Sequence, residues 1–267
     1  RQRQMCIRDS MYTLCGKDRI HPSTDGHLVM AYLFLKAQGL AGKPVADIRI
    51  DGAGKKVTRS DNCRVSDLSV SSDNLTFTYE AKSLPYPIDT SYYDNEKHTQ
   101  ADALSVIPFM DEMNYEGLSV SGLSDGYYGL TIGGEFIGRF TARELERGIN
   151  MALLQNTPQY KQAMKIRQMN EERWLKERKM REFYWVEYNL MRKTGMLWAC
   201  NEAAVDTLRK YRPHDIFLQW NGDLWLQYMH KGIREDCVNE QQDLVNQIYE
   251  QNKPIPLRIE IKKFTDL

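Results

Sequence analysis

The chain has 267 residues, 42% of them hydrophobic, and its 36 basic residues balance 36 acidic ones. That length and composition suit one large or two modest globular domains, and a zero net charge gives no overall pull toward nucleic acid or an anionic membrane. No stretch reaches the roughly 20 continuous apolar residues of a membrane-spanning helix. The five cysteines, Cys6, Cys15, Cys63, Cys200 and Cys237, are scattered without C-x-x-C spacing, so neither a zinc site nor a dense disulfide framework is expected.

The chain opens with Arg1-Gln2-Arg3-Gln4-Met5-Cys6-Ile7-Arg8-Asp9-Ser10, which looks like a translated sequencing adaptor of the kind left at the ends of assembled metagenomic reads. Residues 1–10 are therefore set apart from the fold. Next comes Lys17-Asp18-Arg19-Ile20-His21-Pro22-Ser23-Thr24-Asp25-Gly26-His27-Leu28-Val29-Met30-Ala31. This run resembles the last sequence block of the SGNH/GDSL hydrolases, in which an Asp and a His three residues apart occupy the loop before the final helix of the hydrolase domain.

Carried over, the pair is Asp18 and His21. A serine hydroxyl is a poor nucleophile at neutral pH, so an imidazole must take its proton and a carboxylate must hold the imidazole's tautomer and orientation. The resemblance implies a three-layer α/β/α domain that cleaves esters, with Asp18 orienting His21 and His21 acting first as general base and then as general acid. Pro22 stiffens the loop, and Ser23-Thr24-Asp25 offers capping oxygens to a helix whose Leu28, Ala31, Tyr32 and Leu35 recur at helical spacing. Gly39 is its expected stop. His27 falls inside that helix, where packing or capping is its expected role; a metal site built from Asp18, His21 and His27 is the weaker alternative, and neither metal nor cofactor is assigned.

The family's nucleophile lies far upstream of its Asp-x-x-His block. Asp9-Ser10-Met11 echoes the Gly-Asp-Ser-Leu motif, but Arg8 stands where the small Gly belongs. With no serine or oxyanion donors to place before Asp18, the chain reads as a C-terminal fragment whose front is missing and which is inactive alone. Any signal peptide would be lost with that front, which leaves the compartment open.

From Val45 onward the pattern turns to β, with strands expected at Val45–Ile50, Val65–Val70 and Leu75–Tyr79, and turns at Asp51-Gly52 and Ser72-Asp73-Asn74. Pro85 to Gln100 reads as an exposed loop. Strand-like segments follow at Leu104–Phe109 and Leu118–Val120. The runs Tyr127–Ile132 and Glu135–Phe140, joined by Gly133-Gly134, predict a hairpin whose tight turn demands positive φ. Thr141-Ala142-Arg143-Glu144 has the form of a capping box and predicts a helix to about Leu154. Thr157-Pro158 starts a second helix, free of Pro and Gly to Lys193, whose dense mixed charge predicts a solvated face. Leu197–Tyr211 and Arg234–Gln251 read as helices, Ile216–Leu226 as helix broken at Gly222, and Leu257–Ile261 as a closing strand.

The phrase Phe140-Thr141-x-x-Glu144-Leu145-x-x-Gly148-Ile149-Asn150-Met151-Ala152 also looks like the accessory extension of some bacterial SGNH-type proteins. The expected fold is thus an α/β remnant at residues 11–43, then an α+β extension with a β-rich half at 44–140 and a long-helix half at 141–267. Tyr92 and Tyr93 are candidate substrate-binding residues, because aromatic faces stack on sugar rings; Trp220 and Trp225 are expected in the core. The expected partner is an ester or acetylated glycan, with no nucleic acid. An alternative of a different class is a carbohydrate-binding or protein-interaction module at 45–267 without catalysis.

Overall fold

The computed structural model describes residues 13–15, 19–91 and 98–264. The adaptor-like residues 1–10, Asp18, Tyr92 and Tyr93 lie outside them. The fold is mixed α/β and divides into two compact units, one made of Arg1–Met164 with Lys253–Leu267, the other of Lys165–Asn252.

The first unit begins with helix α1 (Thr24–Ala37). It buries Leu28, Val29 and Tyr32 against Ile88, Ala103, Ile107, Phe109, Met110 and Ala152. Its end is a Schellman motif around Gly39, with the Leu40 N–H bonded to the Leu35 carbonyl at 3.2 Å and the Gly39 N–H to the Lys36 carbonyl at 3.0 Å.

Two sheets follow. β1 (Ala46–Asp51) runs antiparallel to β2 (Lys56–Asp61) and parallel to β5 (Glu116–Ser121), which pairs with the two-residue β8 (Ile149–Asn150), giving the order β2-β1-β5-β8. The second sheet orders β3 (Cys63–Val70), β4 (Asn74–Ala81), β9 (Leu257–Lys263), β6 (Tyr127–Ile132) and β7 (Glu135–Thr141). β4 alternates, with Leu75, Phe77 and Tyr79 buried, and β9 does the same with Leu257, Ile259 and Ile261. These side chains share one core with Ile48, Ile50, Leu118 and Val120 from the first sheet, so both sheets turn an apolar face to the same interior.

Several expectations give way to tertiary context. β2 escapes the sequence reading because Lys-Val-Thr-Arg-Ser-Asp has no apolar alternation; it is a mostly exposed edge strand. Leu104–Phe109 is not a strand: a 3-10 turn at Gln100–Ser105, closed by a Thr99–Asp102 capping box, and a four-residue helix α2 (Phe109–Glu112) occupy the region. The loop expected to be exposed buries Pro85, Pro87, Ile88 and Asp89.

The β6/β7 hairpin forms as expected, with Gly133 at φ 59° and Gly134 at φ 85°, the backbone of a type I′ turn. The capping box is also present and starts α3 (Ala142–Arg147). That helix stops well before Leu154 because Gly148 takes φ 94° and Ile149–Asn150 pair with Gly117 and Leu118 of β5. The Asn150 carboxamide oxygen meanwhile accepts the backbone N–H groups of Glu116 (2.9 Å) and Ala152 (3.1 Å). The boundary drawn at 140/141 falls inside this unit, since β9 returns from the chain end to the middle of the second sheet.

Helix α4 (Pro158–Val186) starts in the first unit, where the Thr157 hydroxyl accepts the Tyr160 N–H at 3.3 Å. Its remainder belongs to the helical unit and continues as a π-helix at Glu187–Met191. Then come α5 (Glu202–Tyr211), capped by Asn201, α6 (Ile216–Tyr228), capped by Asp215, and α7 (Lys231–Gln251). Met180, Phe183, Val186, Leu208, Leu218 and Trp225 form their core. The charged middle of α4 is laced by i,i+4 pairs such as Arg178–Glu182 and tied to α7 by Lys176–Glu240 at 2.7 Å. α6 does not break at Gly222. That position is buried inside a continuous helix, and a Cβ there would lie 3.2 Å from Nε of Arg212.

Candidate active site around His21

The loop that carries the Asp-x-x-His block is closed at its base by an isolated antiparallel bridge between Cys15 and Pro22. The Thr13 hydroxyl donates to the Cys15 carbonyl at 2.8 Å, and Arg19 takes φ 60° within the loop. His21 is exposed, one residue before the bridge and two before Ser23, the N-cap of α1. Asp18, its expected orienting carboxylate, lies outside the described residues.

The motif's Gly26 has a steric reason. A Cβ on it would stand 2.0 Å from the Leu14 carbonyl oxygen, so only glycine lets the backbone at Leu14 lie directly on the first turn of α1. His27 is exposed on that helix rather than packed. The Ser23 hydroxyl does not cap the helix; it donates to Oδ1 of Asp25 instead.

Asp25 is only 1% exposed, and its second oxygen, Oδ2, has no hydrogen-bond partner among the described residues. Nδ1 of His98 lies 3.8 Å from that oxygen. This acid–imidazole pair is not legible in the sequence, where Asp25 offers a capping oxygen and His98 falls 73 residues later, within the Pro85 to Gln100 segment. The ends of α1 are held differently: near its C-terminus the Tyr32 hydroxyl donates to Glu112 at 2.7 Å and Lys36 reaches the same carboxylate at 2.6 Å. The Lys36 ammonium and the tyrosine hydroxyl hold the Glu112 carboxyl below its usual range.

Of the two tryptophans expected in the core, Trp225 is fully buried, whereas Trp220 is 67% exposed and does not belong to it. Tyr92 and Tyr93 lie outside the described residues. Among the described residues no His, Cys, Asp and Glu side chains gather in threes to hold a metal ion, and no helix is long and apolar enough to cross a membrane.

A second buried acid sits in the sandwich core. Glu116, at the start of β5, is fully buried; its Oε1 accepts from the Tyr79 hydroxyl at 2.8 Å and from the Gln159 amide at 3.2 Å. Among the described residues Oε2 of Glu116 and Oε1 of Gln159 have no hydrogen-bond partner. Burial raises the carboxyl pKa to about 7, against the smaller opposing effect of the two hydrogen bonds. Enclosed on all sides, this acid is beyond the reach of a substrate.

Residues 164–253 match the family model described as the diltiazem deacetylase C-terminal helical domain. Its limits differ by one residue at each end from the helical unit Lys165–Asn252. The fold is similar to that of a solved gut microbial diltiazem-metabolizing enzyme, BT4096, at 40% identity and a TM-score of 0.91, over 98% of this chain. The chain spans 60% of that protein's length. No curated protein matches it.

Proposed function

We propose that this chain carries the acid–base half of a serine ester hydrolase of the SGNH/GDSL type. The observation that carries the reading is the Lys17–Ala31 block, whose His21 is exposed on a bridged loop ahead of α1. In this mechanism Asp18 accepts a hydrogen bond from the His21 ring and fixes its tautomer. The other ring nitrogen takes the proton of a serine hydroxyl as it attacks the ester carbonyl, then returns it to the leaving alcohol. Water, activated in the same way, releases the acid.

No Gly-Asp-Ser motif stands before Asp18, and this chain spans 60% of the solved relative's length. On this reading the serine and the oxyanion donors are supplied by residues outside the Asp18 and His21 block. The substrate class is an acetyl ester, which agrees with the deacetylase description of the matched helical family. Diltiazem and acetylated carbohydrates are the first two substrates to compare.

The test is to recover the coding sequence upstream of residue 11 and assay the extended product beside the present chain on p-nitrophenyl acetate and diltiazem. The proposal expects an upstream Gly-Asp-Ser motif, turnover by the extended product and none by the chain alone. An upstream sequence without such a motif, or esterase activity residing in the present chain, overturns it.

A further inference from the structure

In the helical unit one nucleophile and one base meet. Cys200 precedes α5, and His230 is the N-cap residue of α7; both are exposed, and the Cys200 Sγ lies 3.4 Å from Nδ1 of His230. One buried carboxylate pins both arms. Glu187, 1% exposed, accepts the Trp198 backbone N–H at 2.8 Å, two residues before Cys200. Its other oxygen accepts the indole N–H of Trp225 at 2.8 Å, on the helix that leads to His230.

Trp198 takes the left-handed φ of 63°, a conformation that crowds the Cβ of a side-chain-bearing residue against the following carbonyl oxygen. The bond to Glu187 and the flanking rings of Tyr184 and Tyr188, each 5.9 Å away, hold it there. On the second arm the Arg234 guanidinium donates to the carbonyls of Tyr228 (2.6 Å) and Met229 (2.7 Å), which fixes the turn at His230. Two held turns thus deliver a thiol to an imidazole in solvent, the arrangement a base-activated nucleophile requires.

We propose that Cys200 and His230 form a reactive dyad that takes small disulfides by thiol–disulfide exchange. Unprotonated Nδ1 of His230 accepts the thiol proton, and the Cys200 sulfur attacks one sulfur of the disulfide. A new S–S bond forms as the old one breaks, and the departing thiolate takes the proton from the imidazolium. Cys200 is oxidised, the departing half of the disulfide is reduced, and no further oxidant is needed. The other cysteine of this unit, Cys237, is buried with its thiol donating to the Lys176 carbonyl at 3.7 Å. It does not resolve the product, which remains a mixed disulfide.

The experiment incubates the full chain, Cys200→Ser, His230→Ala and His230→Gln with glutathione disulfide at pH 7 and follows intact mass and peptide maps. Both positions are exposed, so the substitutions leave the helical core intact, which circular dichroism verifies. The expected result is one glutathione per chain, on Cys200, absent in Cys200→Ser and slowed about tenfold or more in both His230 variants, as loss of a general base requires. Addition at another cysteine, Cys200 reacting no faster than the cysteines of the urea-unfolded chain, or a rate within about twofold of wild type in both His230 variants overturns the proposal.

Discussion

Glu116 makes the stability of the sheet unit depend on pH in a direction opposite to that of most carboxylates. In the folded chain its carboxyl titrates near 7, because burial raises it from 4.5. Between those two values the native state keeps a proton that the unfolded chain has released. Stability is therefore fully present below pH 4.5, falls as pH rises and levels off above 7. Each pH unit separating the two values is worth about 1.4 kcal/mol, so the loss across the window is about 3 kcal/mol. Glu116→Gln keeps an acceptor oxygen for Tyr79 and Gln159 but has no proton to lose. Relative to wild type, the variant should gain about 3 kcal/mol between pH 4.5 and pH 8. Hydrogen exchange read on β4, β5 and β9 at the two pH values measures this. Fluorescence gives an internal reference, since all five tryptophans, Trp174, Trp185, Trp198, Trp220 and Trp225, lie in the helical unit. A difference between variant and wild type that stays constant within about 1 kcal/mol across that range would refute the assignment of a neutral buried acid.

Gly26→Ala separates two physical effects by sign. Helix propensity alone favours alanine by about 1 kcal/mol, whereas a Cβ 2.0 Å from the Leu14 carbonyl oxygen should cost roughly 1–3 kcal/mol through overpacking. We expect lower stability and faster hydrogen exchange at Cys15 and in residues 19–23; wild-type exchange there would contradict the close packing. Truncation after Asn252 removes β9 and leaves β4 and β6 as unpaired edges in the second sheet. Loss of cooperative unfolding of the sheet unit, with the tryptophan signal of the helical unit retained, is the expected outcome, and an unchanged melt of β4 would contradict the topology.

Where local chemistry and tertiary demand agree, the sequence was legible. The Gly133-Gly134 hairpin, the Thr141–Glu144 capping box, the start of α4 at Thr157-Pro158 and the helix after Ser23 all form at their signals. The misses share a cause. Gly222 favoured a break, but Arg212 packs where a side chain would have projected, and the helix runs through. Ile149–Asn150 had helical neighbours, yet β5 offered unpaired backbone and won. β9 was visible as a strand, but nothing in Leu-Arg-Ile-Glu-Ile specified the centre of a sheet whose other members lie far upstream. The candidate site divides in the same way. The proposed Asp18 and His21 pair rests on a motif whose two residues are close in sequence. Asp25 with His98 and Cys200 with His230 are brought together only by the fold.

The most direct test of the functional account is the turnover number for p-nitrophenyl acetate of the upstream-extended protein against its His21→Ala variant, with circular dichroism confirming that both are folded. A general base paired with a serine nucleophile supplies a large part of the rate, so the account predicts a fall of roughly a thousandfold or more. Turnover within about threefold of wild type would contradict it, since no mechanism built on the Asp18 and His21 block survives the removal of its imidazole.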